Sequence, residues 1–142
     1  MRSAERTETV KTIVLDSQPI IAYFEKDAGW ETLAKLLQSA ADRKCQVLLS
    51  VVNWGEVYYI TLREYGEEYA DRVLHALKNM PIELVEANRE LTLQAAKIKA
   101  KGGVSYADCF AIALARTRKA AELVTGDKEF KHVEREVTIR WI

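Results

Sequence analysis

Apolar positions along this chain alternate between two patterns. Short continuous runs, TIVLD (Thr12 to Asp16) and QVLLS (Gln46 to Ser50), predict strands buried on both faces. IELVE (Ile82 to Glu86) and AELVT (Ala121 to Thr125) predict two more short strands, and VTIRWI (Val137 to Ile142) a last one at a sheet edge. Between them the apolar residues take helical spacing. Leu33, Leu36, Leu37, Ala40 and Ala41 share one face, as do Ala70, Val73, Leu74 and Leu77, and another helix is predicted near Trp54 to Tyr65. Pro19 suits a first helical turn, Pro81 a stop, Asn88 a cap, and Gly102-Gly103 the end of the helix that Asn88 opens.

Strands alternating with helices in this way predict an α/β fold around a mostly parallel sheet. With 142 residues and no repeat, low-complexity tract or linker, one domain over residues 11–142 is expected, preceded by a polar arm over residues 1–10. Twenty-one basic residues balance twenty-one acids, so no global field marks a nucleic-acid partner, and any such partner needs a local basic patch or a bound cation. No apolar run approaches the ~18 residues of a membrane span, and the first residues lack the apolar core of a secretory signal. Two distant cysteines, Cys45 and Cys109, give no thiolate cluster, and a reduced, cytoplasmic setting is the expectation.

In such sheets, sites form outside the carboxyl ends of the strands. Four acids stand at those junctions. Asp16 ends the first strand; Glu56 in Asn53-Trp54-Gly55-Glu56 is expected in the first turn of the helix after the second; Asp108 in Ser105-Tyr106-Ala107-Asp108 opens a helix; Asp127 in Thr125-Gly126-Asp127 follows the fourth strand. Each has a structural explanation by itself. Asn-x-x-Glu and Ser-x-x-Asp resemble capping boxes, and Thr-Gly-Asp is turn chemistry. Glu86 shows that an acid near a strand end can be incidental.

Asp108 is the most informative of the four. It is the only charged residue between Lys101 and Arg116, in a stretch that otherwise reads as buried helix. A bare buried carboxylate loses several kcal/mol of solvation, so it must be protonated, capped, paired or bound to a cation. Converging carboxylates without His or Cys suit Mg²⁺ or Mn²⁺ far better than Zn²⁺. A carboxylate-held cation of this kind implies phosphoryl chemistry, in which a metal-bound water is activated and charge on the phosphate is offset.

A strand ending in Asp16, then Asn53-x-x-Glu56, Ser105-x-x-Asp108 and Thr125-Gly126-Asp127 in that order resembles the PIN-domain family, and within it the VapC-type toxins of toxin–antitoxin pairs. The resemblance implies a three-layer α/β/α sandwich and a metal-dependent endoribonuclease, often dimeric and inhibited by a cognate antitoxin protein. Asp16, Asp108 and Asp127 match the family's metal-binding aspartates, Glu56 its acidic partner, and Asn53, Ser105 and Thr125 its supporting polar positions. Gln18-Pro19 stand where small or hydroxyl-bearing residues are more usual.

The remaining candidates point to structure. His75 and His132 are far apart and read as surface residues, and Cys109 lacks a companion base and reads as core. Trp54, Val57, Tyr58, Thr61 and Tyr65 form a stripe that fits a core or helix–helix contact, with base stacking by Tyr59 or Trp54 as the alternative. Arg116, Arg118, Lys119, Lys128 and Lys131 are candidates for phosphate contacts near the site. An aspartyl phosphatase would want a second Asp where Gln18 stands, and a phospho-acceptor receiver an Asp where Ala87-Asn88 follow the third strand. A catalytically inert α/β protein-interaction module, with the acids as caps, is the alternative from a different class.

Overall fold

In the computed structural model, which describes residues 10–142, five parallel strands form one sheet: β1 (Lys11–Leu15), β2 (Cys45–Ser50), β3 (Glu83–Val85), β4 (Glu122–Thr125) and β5 (Ile139–Trp141). Their order is β3-β2-β1-β4-β5, so β1 is central and the expected edge strand, β5, is at an edge. The sheet is wholly parallel where a mostly parallel one was expected. Of the expected N-terminal arm, residues 1–9 lie outside the described residues, and Val10 is exposed.

Alternation along the strands assigns the layers. Ile13, Leu15, Val47, Leu49 and Val124 point to one face, where they meet α1 (Ser17–Glu25), α2 (Trp30–Ala41), α3 (Val51–Tyr65) and α4 (Glu67–Lys78). Val14, Leu48 and Leu123 point to the other, covered by α5 (Arg89–Lys101), α6 (Tyr106–Arg116) and the 3₁₀ turn Lys128–Val133. This is the three-layer α/β/α sandwich that the resemblance implied. Both faces of the sheet are covered, as the unbroken apolar runs of β1 and β2 require.

Several helix ends follow the expected chemistry. Asn88 caps α5 by accepting from the Leu91 amide at 2.8 Å, and Ser105 caps α6 by accepting from the Asp108 amide at 3.1 Å. Gly102 ends α5 in a left-handed backbone with φ 82°, a conformation that glycine adopts without a Cβ penalty. Pro19 lies in the first turn of α1 as expected, and the helix with Leu33, Leu36 and Leu37 is α2, set off from α1 where Lys26 (φ 56°) and Gly29 (φ 92°) take left-handed backbone.

Register fixes which residues meet at the carboxyl edge. Leu15 pairs with Leu49 on one side and Val124 on the other. One residue further along, Asp16 stands level with Ser50 and Thr125. The connections after β1 and β4 leave toward opposite faces of the sheet, which opens a crevice between them, the place where α/β sheets bind ligands.

Candidate active site

Three of the four predicted acids meet in that crevice. Asp16, Asp108 and Asp127 each present a carboxylate oxygen, and these oxygens all lie within 4.8 Å of one another. Each arrives from a different element: Asp16 from the end of β1, Asp108 from the third residue of α6, and Asp127 from the loop after β4. A cleft of about 410 Å³ opens beside them, lined by Asp108 and Asp127 together with Glu56, Asp27 and Glu129, and, among the described residues, by no basic side chain.

The three aspartates differ in how far protein groups satisfy them. Asp127 caps the 3₁₀ turn by accepting from the Glu129 amide at 2.9 Å, while its own amide donates to Thr125 Oγ1 at 3.0 Å. Asp108 sits in the cap arrangement with Ser105. Asp16 occupies the N-cap position of α1 but makes no capping hydrogen bond with its side chain. It is 1% exposed, and its Oδ1 is buried with no hydrogen-bond partner. Capping thus accounts for two of the acids and fails for the third.

Electrostatics follow this geometry. Burial, then the neighbouring Asp108, push Asp16 well above the usual carboxylate range; contact with Thr125 lowers it, and Asp127 and Glu56 raise it further. Burial likewise raises Asp108 to about 6, with its hydrogen bonds to Ser105 opposing and Asp127 and Glu56 adding to the shift. Like charges this close resist being ionised together, and a cation among them removes that conflict. The donor set is all carboxylate oxygen, and one buried oxygen lacks any partner. Both observations fit a hard divalent ion such as Mg²⁺ or Mn²⁺.

Glu56 departs from expectation in one respect. The cap of α3 is Ser50, whose Oγ accepts from the Asn53 amide at 3.1 Å, and not Asn53. The helix therefore begins at Val51, and Glu56 lies in its second turn and outside the three-aspartate cluster. It lines the cleft and accepts from Asn53 Nδ2 at 3.4 Å. A Ser-x-x-Asn pattern at Ser50 was the signal that would have located this cap.

Asn53 has a different use. Fully buried, it accepts from the Ser50 hydroxyl at 2.9 Å and donates to the carbonyl of Ala107, the residue before Asp108, at 3.1 Å. Asn53→Ala strands these buried partners and is expected to destabilise the fold by about 1–3 kcal/mol, read from denaturant midpoints at unchanged slope.

Other candidates separate clearly. Arg116, Arg118 and Lys119 lie at the far end of α6, where the chain enters β4, so they belong to the edge of the sheet opposite the acids; Arg116 pairs with Glu136 at 3.0 Å. They are not phosphate contacts of this site. Lys128 and Lys131 are exposed on the 3₁₀ turn directly after Asp127. His75 and His132 are exposed, and Cys45 and Cys109 are free thiols, Cys109 in the core. In the aromatic stripe Val57 and Thr61 are buried, Trp54 and Tyr58 are partly buried, and Tyr65 is half exposed, as is Tyr59. Among the described residues no helix is long and apolar enough to cross a membrane.

Comparison with known proteins agrees with this fold. A search of the curated proteins found no match. Solved structures of the same fold include DNA-bound VapBC from Salmonella typhimurium (15% identity, TM-score 0.70, covering 92% of this chain and 98% of that one). VapBC2 from Rickettsia felis, bound to a DNA fragment from its promoter, is similar at 15% identity and TM-score 0.69, with the same 92% and 98% coverage. VapC20 from Mycobacterium tuberculosis, a toxin that cleaves the sarcin-ricin loop, is similar at 18% identity and TM-score 0.67, covering 85% and 94%. The PIN domain family model matches residues 13–136, a span that includes all four acids, and the chain belongs to the PIN domain family.

Proposed function

We propose that this protein is a metal-dependent endoribonuclease, a toxin of the VapC kind, in which Asp16, Asp108 and Asp127 hold Mg²⁺ or Mn²⁺. The observation that carries the proposal is the buried Asp16 carboxylate, whose Oδ1 has no hydrogen-bond partner, gathered with the carboxylates of Asp108 and Asp127. RNA is taken as the substrate from the likeness to a toxin that cleaves the sarcin-ricin loop. Residues 11–142 act as the catalytic domain.

When bound, the cation lowers the pKa of a coordinated water and offsets negative charge on the phosphodiester. The protein's own residues do the rest. Asp16 is held at the end of the central strand. Ser105 and Asn53 hold the start of α6, and with it Asp108, while Thr125 supports both Asp16 and the Asp127 loop. Glu56, with Oε1 engaged by Asn53, leaves Oε2 to accept a proton from water in the cleft. A cleft lined by five carboxylates repels a bare polyanion, so RNA binds there only once the charge is neutralised.

Structures of similar fold are VapBC complexes, and on that likeness a cognate antitoxin protein is the proposed partner. A homodimer is proposed alongside it, with exposed Tyr59 and Leu62 on α3 as apolar surface available to an interface. The setting for this activity is the cytoplasm. An inert interaction module would explain Asp108 and Asp127 as caps but leaves Asp16 without a reason to be charged or buried.

The test is cleavage of a mixed-sequence RNA by purified protein with Mn²⁺ or Mg²⁺, with chelator, and with Asp108→Asn. Cleavage in wild type that chelator and Asp108→Asn both remove is the expected result. Cleavage indifferent to both ends the proposal.

A further inference from the structure

Gln18 reaches from the first turn of α1 to the loop after β4. Its Oε1 accepts a hydrogen bond from the Gly126 amide at 2.7 Å, between residues 108 positions apart. Gln18 follows Asp16 by two residues, and Gly126 immediately precedes Asp127. One side chain therefore ties together the two backbone segments that carry two of the clustered carboxylates.

The approach leaves no room for a Cβ at position 126 while the carboxamide stays in place. A Cβ at position 126 would stand 2.9 Å from Gln18 Oε1 and 3.1 Å from Nε2, so any side chain there pushes the carboxamide aside. Gly126 is not among the glycines with positive φ, so the demand is for space and not for backbone freedom. Because the Gly126 amide can only donate, it also sets the carboxamide's orientation, oxygen toward the loop. A matching arrangement exists across the cleft, where Asn53 Nδ2 holds the carbonyl of Ala107, the residue before Asp108. Two of the three aspartates thus have the preceding backbone group held by a carboxamide from another element.

We infer that Gln18 is a positioning residue of the metal centre: by holding the Gly126 amide, its Oε1 sets the separation between the carboxylates of Asp16 and Asp127. Like charges at this distance repel, and without the tether the loop after β4 relaxes away from β1. Gln18 is not itself a ligand. The inference rests on the metal-site proposal above, and its consequence is that the residue departing from the family's usual small or hydroxyl-bearing choice works through the loop that carries Asp127.

Mn²⁺ titration of the full chain by calorimetry, with Gly126 amide exchange followed by NMR, tests this. In Gln18→Ala the Mn²⁺ dissociation constant is expected to rise about tenfold, in line with other outer-shell losses, and Gly126 exchange to accelerate. Gln18→Glu keeps an acceptor at the same reach, so it is expected to retain Gly126 protection and bind Mn²⁺ at least as well as wild type. Gly126→Ala, which displaces the carboxamide, is expected to weaken Mn²⁺ binding as Gln18→Ala does. Wild-type Mn²⁺ affinity in Gln18→Ala, whatever happens to its melting temperature, overturns the inference alone, because the tether would then serve only loop stability. Equal loss of affinity in Gln18→Glu and Gln18→Ala also overturns it. A wild-type protein that binds no Mn²⁺ overturns both the inference and the proposal beneath it.

Discussion

Asp16→Asn is expected to abolish divalent-ion-dependent RNA cleavage and, in the same preparation, to raise the melting temperature of the metal-free protein. The two effects have one cause. Asp16 is buried at the centre of three carboxylates, and without a cation its charge is desolvated and repelled. Asn removes that charge at nearly constant volume, so the metal-free fold gains stability by a few degrees in a thermal melt. The same change removes a ligand held at the end of the central strand. Outer-shell substitutions around metals typically cost 10–100-fold, so loss of this ligand should exceed about 100-fold in cleavage rate. Added Mn²⁺ should stabilise wild type and leave Asp16→Asn unmoved. A variant that loses stability and keeps activity would show that Asp16 is a structural residue.

The stability of the metal-free protein is expected to fall as pH rises from about 4 to about 6, the reverse of ordinary acid denaturation. Asp108 has its carboxyl raised from 3.8 to about 6 in the fold, so over that window the folded state holds a proton that the unfolded chain has released. Stability then decreases with pH until Asp108 ionises in the fold as well. A shift from 3.8 to about 6 corresponds to about 3 kcal/mol, large beside the total stability of a domain this size. Asp16, raised in the same sense, extends the decline upward. Metal competes with those protons, so the stabilisation by Mn²⁺ should be weaker near pH 5 than near pH 8. Denaturant melts across pH, with Mn²⁺ and with chelator, measure both halves of this expectation. A metal-free midpoint that rises steadily from pH 4 to pH 8 would mean that the carboxylates are stabilised by the protein alone.

Much of this site was legible in the sequence because buried charge is conspicuous. Asp108 stands alone among apolar residues, and Asp16 and Asp127 each close or follow an apolar strand, so topology had only to bring the strand ends together. What stayed hidden depends on which of two equivalent groups wins locally. Ser50 and Asn53 are both good caps, and the choice of Ser50 starts α3 three residues earlier, about 4.5 Å along its axis, which leaves Glu56 in the second turn. The basic residues Arg116, Arg118 and Lys119 follow the acid-bearing helix in sequence, yet α6 carries them to the opposite edge of the sheet. The end of α1 rests on left-handed backbone at Lys26, a non-glycine residue with no strong turn signature. Gln18 stood out in sequence as a departure from family habit, and only its contact with Gly126, 108 residues away, gives it a use.

The most direct measurement is anomalous diffraction from crystals soaked in Mn²⁺. A single strong peak at roughly 2.0–2.3 Å from oxygens of Asp16, Asp108 and Asp127 is the predicted result. Crystals that take up manganese elsewhere, with Asp16 Oδ1 still bare in its pocket, would contradict the account.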